Sequence, residues 1–294
     1  MLSILEASLH STLDKISNSE DIEVKDEWID EACDQLRQAL EKQLKTKRDP
    51  EFKLRMSNIG RPLCQLQMQN NGVKSGRMDY NFIMKMLLGD SVEILTRLML
   101  KINGANVTSD GDQVKLNVSD VSISGESDID IDGKVFDIKS ASGWAFKNKW
   151  TEGFEGLLSD DGFGYVGQLF GYADAQKKAP GGWIVVDKSS GEIAVVEVKA
   201  NRQQVAAIRK KRKDAVEAIT QNKPFQRCFE DEPEFWRRKP TGNRKINKKC
   251  NFCDYKKTCW PQAVYKANEL STAQSKPFYW YTEITNYQWK KNAD

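Results

Sequence analysis

Histidine is almost missing from this chain: His10 is the only one among 294 residues, against 6 cysteines. Any metal site is therefore left largely to thiols and carboxylates. Long apolar runs are lacking too, and none approaches the ~20 residues that cross a bilayer. The first residues, MLSILEASLHSTLDK, place Glu6 inside a short apolar stretch, with no basic leader and no small-residue cleavage site, so no signal peptide is expected. With no export signal the six cysteines are expected in a reducing, cytoplasmic compartment, where clustered cysteines bind metal more often than they pair as disulfides. There is no Gly-rich phosphate loop ending in Lys-Ser/Thr, so the chain is not itself an ATP-driven helicase. Internal repeats and low-complexity tracts are absent as well.

What is present reads as a folded protein. Hydrophobic residues make up 39% and charged residues 30%, which excludes general disorder. The length allows one elaborated α/β domain or two smaller ones. Net charge is only +3, but residues 199 to 259 hold 18 Lys and Arg against 7 Asp and Glu. The dense stretches are RQQVAAIRKKRK (Arg202 to Lys213) and RRKPTGNRKINKK (Arg237 to Lys249), separated by the acidic EDEPE. A phosphate backbone suits such a region, with Arg209, Lys210, Lys211, Arg212, Arg237, Arg238, Arg244 and Lys245 as the candidate contacts; a solvated helix face would carry the same run.

Periodicity predicts an amphipathic surface helix over residues 26 to 47, with Trp28, Ile29, Ala32, Cys33, Leu36, Leu40 and Leu44 on its apolar stripe. Cys33 reads as a small core residue. After the Gly-rich NNGVKSG comes a second helix from about Tyr80 to Lys101. From Val114 to about Lys139 the period shortens to that of an antiparallel meander. Residues 160 to 178 return to a helical pattern, and GGWIVVDKSSGEIAVVEVKA predicts a hairpin with the four-residue connection KSSG. A basic helix, the cysteine segment and an aromatic tail (FYWYTEITNYQW) complete the chain.

The chemistry concentrates in SGESDIDIDGKVFDIKS. Asp132-Gly133 between alternating runs signals a two-residue hairpin loop. Pairing outward sets Ile131 opposite Lys134, Asp130 opposite Val135, Ile129 opposite Phe136, and Asp128 opposite Asp137. Ile129, Ile131, Phe136 and Ile138 then share the alternation of a buried face, while Asp128, Asp137 and Lys139 meet on the other. Two carboxylates opposed across a ladder repel, an arrangement that makes sense when a hard cation such as Mg2+ or Mn2+ lies between them, with the lysine beside an attacking water. Solvent-facing acids around a turn are the plainer alternative. A second acidic-x-Lys, Glu197-Val198-Lys199, has no carboxylate opposite Glu197 in the register that KSSG implies, and reads as a flanking strand.

Ser127-Asp128, eight further residues, then Asp137-Ile138-Lys139 resembles the core of the PD-(D/E)XK nuclease superfamily. GYVGQLFGYADA, with Gln168 and Tyr172 one helical turn apart, resembles the Q-x3-Y helix of RecB-like members. LLGDSVEILTRLML resembles their G-x3-H helix, with Glu93 where many have histidine and where phage-type exonucleases often have glutamate. The cysteines join this resemblance. CNFCDYKKTCW is C-x2-C-x5-C (Cys250, Cys253, Cys259), and IGRPLCQLQMQ supplies Cys64 before the core, as in the iron-sulfur members: the CRISPR-associated nucleases, AddB-type subunits and exonuclease V. The resemblance spans residues 60 to 262.

The resemblance implies an α/β protein with a restriction-endonuclease-like core, a central mixed sheet flanked by helices, and a structural 4Fe-4S clamp joining the N-terminal and C-terminal segments. It implies a helical region over 1–79 with the first cluster cysteine, a nuclease core over 80–200, and a basic, cysteine-bearing and aromatic region over 201–294, integrated as one domain. By chemistry alone Zn2+ suits the thiols equally. Cys228 is the rival fourth ligand to Cys64; otherwise Cys228, like Cys33, is expected as a free buried cysteine. The implied activity is a divalent-metal-dependent DNA exonuclease of recombination, repair or phage DNA metabolism, in the host cytoplasm if viral, with Glu93, Asp128, Asp137 and the Ile138 carbonyl holding Mg2+ or Mn2+. Lys139 would position water, Gln168 and Tyr172 would orient substrate, and Trp144, Phe146 and Trp150 would stack on bases. DNA is the expected partner, with a helicase or single-strand annealing protein beside it. A zinc-stabilised nucleic-acid-binding or recombination-complex subunit without nuclease activity is the alternative. Oligomeric state is not legible.

Overall fold

The computed structural model describes residues 3–47, 51–74 and 81–285. In chain order they form α1 (Ile4–Ser17), α2 (Asp26–Lys45), α3 (Leu63–Asn70) and α4 (Phe82–Ile102), then β1 (Val107–Asp110), β2 (Gln113–Val118), β3 (Val121–Glu126), β4 (Ile129–Ile131) and β5 (Lys134–Ala141). Helices α5 (Gly143–Asn148), α6 (Gly153–Ser159) and α7 (Tyr165–Gln176) follow, then β6 (Ala179–Asp187), β7 (Ile193–Glu197) and α8 (Arg202–Thr220). The chain closes with β8 (Glu232–Trp236), β9 (Lys239–Lys245), α9 (Lys256–Cys259), β10 (Val264–Ala267) and β11 (Phe278–Glu283). Residues 75–76 of the Gly-rich interval, Tyr80 and the aromatic tail from residue 286 lie outside the described residues.

Two compact units result. The first holds Met1–Arg61 and Met78–Asn222; the second holds Pro62–Arg77 and Lys223–Asp294. Helix α3 with Cys64 thus shares a unit with Cys250, Cys253 and Cys259, and the basic helix α8 belongs with the central sheet.

The first unit is mixed α/β. Its five-stranded sheet runs β1-β4-β5-β6-β7, antiparallel except where β5 and β6 run parallel. The β4–β5 hairpin has the register its sequence predicts, Ile129 with Phe136, Asp130 with Val135 and Ile131 with Lys134. Asp132 (φ 51) and Gly133 (φ 72) take the left-handed conformations that a tight primed turn demands. One sheet face presents Ile129, Ile131, Phe136, Ile138, Ile184 and Val195 to Leu9 of α1 and Leu100 of α4. Burying each such aliphatic side chain is worth about 1.5–3 kcal/mol. The other face presents Val135, Trp183, Val185 and Val196 to the core under α5–α7, with Phe154, Leu157 and Leu169.

Strand β7 is an edge, and α1 covers its open hydrogen-bonding groups: the Val195 N–H donates to Glu6 Oε2 at 3.0 Å, and His10 Nε2 lies 2.8 Å from the Ile193 carbonyl. The single histidine is thus spent on blunting an edge. The β6–β7 connection is KSSG, closed by the Asp187 N–H on the Glu192 carbonyl at 2.8 Å. Glu197 faces Gly182, so it has no carboxylate opposite.

Three sequence expectations differ. The Val114–Lys139 stretch is not one meander, because β2 and β3 pair with each other in a separate two-stranded sheet. Helix α7 begins at Tyr165 rather than near 160; Asp161 Oδ1 accepts the N–H groups of Gly164 and Tyr165 and Oδ2 that of Val166, each at 2.8 Å, which fixes the start. Cys33 is exposed rather than buried, since none of α2 is fully covered. At the start of α7 the chain at Gly60 crosses so closely that a Cβ on Gly167 would meet Gly60 Cα at 2.4 Å.

The second unit is built on a four-stranded antiparallel sheet, β10-β11-β9-β8. Its polar core is Glu234, 2% exposed, which accepts from Tyr281 OH (2.7 Å), Thr241 Oγ1 (2.9 Å) and Asn243 Nδ2 (2.8 Å). A buried carboxylate is tolerable because these donors replace its water. No helix among the described residues is long and apolar enough to cross a membrane.

Candidate active site

Strand pairing does most of the assembly. Asp128, just before β4, accepts the Ile138 N–H on Oδ2 at 2.8 Å, tying the two strands where Asp137 and Lys139 project. Lys139 Nζ lies 2.7 Å from Asp137 Oδ2 and 3.9 Å from Asp128 Oδ2. Asp137 is fully buried, and its Oδ1 has no hydrogen-bond partner among the described residues. Ser127, also fully buried, is held by the Asp112 carbonyl and by Gln176 Nε2 at 3.0 Å, which pins the strand entering the site.

Glu93 reaches the same place from α4. Its carboxylate pairs with Arg97 one turn later, and Arg97 Nε donates to the Asp128 carbonyl at 3.2 Å. Sequence alone does not single out Arg97; its spacing of four residues from Glu93 is the available signal. Tyr172 is 3% exposed, and Gln168 Nε2 is 3.5 Å from its hydroxyl. Tyr165 lies beneath the lysine, with Lys139 Nζ 5.7 Å from its ring centroid. The six residues that sequence named as catalytic are therefore brought to one neighbourhood of the first unit.

Titration follows from this crowding. Burial, then the Asp128 carboxylate, pushes Glu93 up to about 7, against the pull of Arg97 and Lys139. Burial likewise raises Asp137, with Lys139 opposing and Asp128 adding to the rise. For Lys139 burial works to lower the pKa, but Asp137 and Asp128 outweigh it and hold the ammonium charged above its ordinary range. Burial, then the Asp128 and Asp137 charges, raises Tyr172, with Gln168 opposing.

A cleft of ≈490 Å³ opens onto Glu93 and Asp128, walled by Asp90, Ile94, Arg97, Gly111 and Glu126 and by Gln35, Gln38, Ala39 and Lys42 of α2. Nothing local in α2 marks it as this wall. Hard oxygen donors and an unpartnered buried carboxylate oxygen fit a divalent cation. Among the described residues no three His, Cys, Asp or Glu side chains stand in ready ligating geometry; here the carboxylates are turned to Arg97, Lys139 and the Ile138 N–H.

The basic candidates divide. Arg212 is 7% exposed and, with Arg209, is bound to Asp174 of α7 at 2.5 Å, so these two lock α8 to the fold rather than wait for phosphate. Lys210 pairs with Asp214, and Lys211 is exposed. Arg244 is held by Asp231 at 2.5 Å and Lys245 lies 3.7 Å from Glu232, so the acidic EDEPE neutralises its own neighbours. Arg237 (φ 48) and Arg238 (φ 67) stand exposed at the β8–β9 turn. Of the three aromatics expected to stack on bases, Phe146 and Trp150 are core residues and only Trp144 is exposed.

In the second unit, the Cys64 N–H donates to Cys228 Sγ at 3.0 Å. Cys228 forms no disulfide, but it is exposed rather than buried as expected, and its sulfur accepts that hydrogen bond. Its thiol, then burial, raises Cys64. Burial, then Cys253 and Cys259, pushes Cys250 up to about 12. Arg227 fixes the last turn by donating to the Cys259 carbonyl at 2.7 Å and lies over Trp260. The donors are soft enough for iron or zinc, but no three are preset for either.

No family model matches the chain, and no curated protein matches it. The crystal structure of SSO0001 is similar at 16% identity over 66% of this chain and 87% of that chain, with a TM-score of 0.39. A likeness at that level bears on neither fold nor function.

Proposed function

We propose that the chain is a divalent-metal-dependent DNA nuclease, acting as an exonuclease, whose first unit is a restriction-endonuclease-like core. The observation that carries this is Asp128, Asp137 and Lys139 meeting across β4 and β5, with a buried Asp137 oxygen left without a partner. A buried carboxylate oxygen without a partner is costly, and carboxyls shifted by burial beside a specific charge cluster at functional sites.

In this reading Glu93, Asp128, Asp137 and the Ile138 carbonyl hold Mg2+ or Mn2+. When bound, the cation polarises a nonbridging phosphate oxygen and acidifies a water. Lys139, kept charged by its two aspartates, stabilises negative charge gathering on the phosphate as the water oxygen bonds to phosphorus and the ester oxygen leaves. Arg97 holds Glu93 and the Asp128 backbone in place. Gln168 and Tyr172 orient substrate from α7. The thiols of the second unit, Cys64, Cys250, Cys253 and Cys259, would carry a structural 4Fe-4S cluster or Zn2+. DNA is the proposed partner, with exposed Lys211, Arg237 and Arg238 tracking phosphates; a helicase or single-strand annealing protein would act beside it.

End-labelled DNA incubated with Mg2+ tests the reading. Shortening that requires the cation, and that Asp137→Asn abolishes in a folded protein, is the expected result. Binding without cleavage in either metal would favour the non-catalytic nucleic-acid-binding subunit instead.

A further inference from the structure

We infer that the sheet of the second unit carries a stacking platform for single-stranded DNA, made by Tyr265, Phe278 and Trp280. The choice of DNA as the nucleic acid rests on the proposed function; the platform itself rests on geometry. In the β10–β11 pair Tyr265 is opposite Trp280 and Ala267 is opposite Phe278, so the three rings rise from one face. Tyr265 has its ring centroid 5.1 Å from Trp280 and 5.2 Å from Phe278, with planes tilted by 32° and 35°. Yet Tyr265 is 56% exposed and Phe278 53%. Tyr265 on the edge strand β10 touches both other rings, and two of the three, Tyr265 and Phe278, are left open to water, an unusual use of apolar surface.

One of the rings is anchored. Trp280 packs against the cluster of Ile246, Cys250 and Trp260, which gives the patch a fixed floor. Lys257 Nζ lies 5.7 Å from the Trp280 ring and makes no ion pair among the described residues. Residues 223 to 285 hold 13 Lys and Arg against 7 Asp and Glu, so the surroundings favour an anion. Aromatic faces beside an unpaired ammonium match the two parts of a nucleotide strand, base and phosphate, without reading its sequence. A protein partner would call for a closed apolar centre depleted of charge, which a lysine over the Trp280 ring opposes.

The test titrates the full chain into a short fluorescein-labelled oligothymidylate, with no divalent cation added, and reads anisotropy. Tyr265→Ala and Phe278→Ala should each weaken binding about tenfold, while Tyr265→Phe, which keeps the ring, binds as the parent does. Thermal midpoints of all three should match the parent, because both side chains are largely exposed. Unchanged affinity in both alanine variants would overturn the platform, as would a loss in Tyr265→Phe equal to that in Tyr265→Ala. A change in mass by light scattering for Phe278→Ala at unchanged affinity would also overturn it, by making the patch a self-contact. Cleavage with Mg2+ separates the two readings: alanine variants that bind normally beside an active nuclease sink the platform alone, and ring-dependent binding without cleavage sinks the nuclease alone.

Discussion

The carboxylate site and the thiol site are built from opposite materials. Asp128, Asp137 and Lys139 sit on or beside paired strands whose register is set by a two-residue turn, with a buried face on either side. Cys250, Cys253 and Cys259 sit on a short turn and a four-residue helix, and Cys64 and Cys228 come from separate segments. Strands fix where side chains project; loops leave it to whatever the side chains bind. The first site should therefore tolerate loss of its ligand, and the second should depend on it.

The largest expected break in that contrast is Gly167→Ala. Its Cβ would stand 2.4 Å from Gly60 Cα, backbone against backbone. Displacing α7 should cost about 1–3 kcal/mol or more and carry Gln168 and Tyr172 away with it, read as a lowered denaturation midpoint and lost cleavage. Cysteine replacement sharpens the other side. With the proposed 4Fe-4S cluster, Cys64→Ser should lose visible absorption and unfold the second unit more readily, while Cys228→Ser keeps its colour; the reverse result would make Cys228 the ligand.

A pH series probes the carboxylates. Glu93 is raised to about 7 in the fold from an ordinary 4.5, so the folded chain binds that proton more tightly than the unfolded chain does. Its contribution is complete below about pH 4.5 and lost as pH rises through about 7. Without divalent cation, the thermal midpoint should fall over that window; Glu93→Gln should flatten the fall and added Mg2+ should reverse it. The smallest effect expected is Asp161→Ala, which removes the acceptor for three N–H groups at the start of α7. A loss of about 1 kcal/mol, a few degrees in midpoint, suits a cap.

The same contrast explains what the sequence disclosed. Asp132-Gly133 and the alternation around it specify the β4–β5 register, and with it the meeting of Asp128 with Lys139, because strand geometry has a period of two and one turn sets the phase. The KSSG hairpin was readable for the same reason. Long-range choices were not: nothing local says that β2–β3 leaves the main sheet, that α2 walls the cleft, or that Arg212 is spent on Asp174. Arg97 reaches the Asp128 carbonyl and Glu234 the Tyr281 hydroxyl, both distant in sequence, and a count of basic residues cannot say which have been neutralised. Phe278 reads as the start of an aromatic tail and Tyr265 as nothing in particular; pairing puts them on one face.

The most direct test of the central claim compares the parent with Lys139→Ala on end-labelled DNA in Mg2+. Parent cleavage with a loss of at least about a hundredfold in the variant, with the folded state retained, is the predicted result. Cleavage by Lys139→Ala at the parent rate would contradict it.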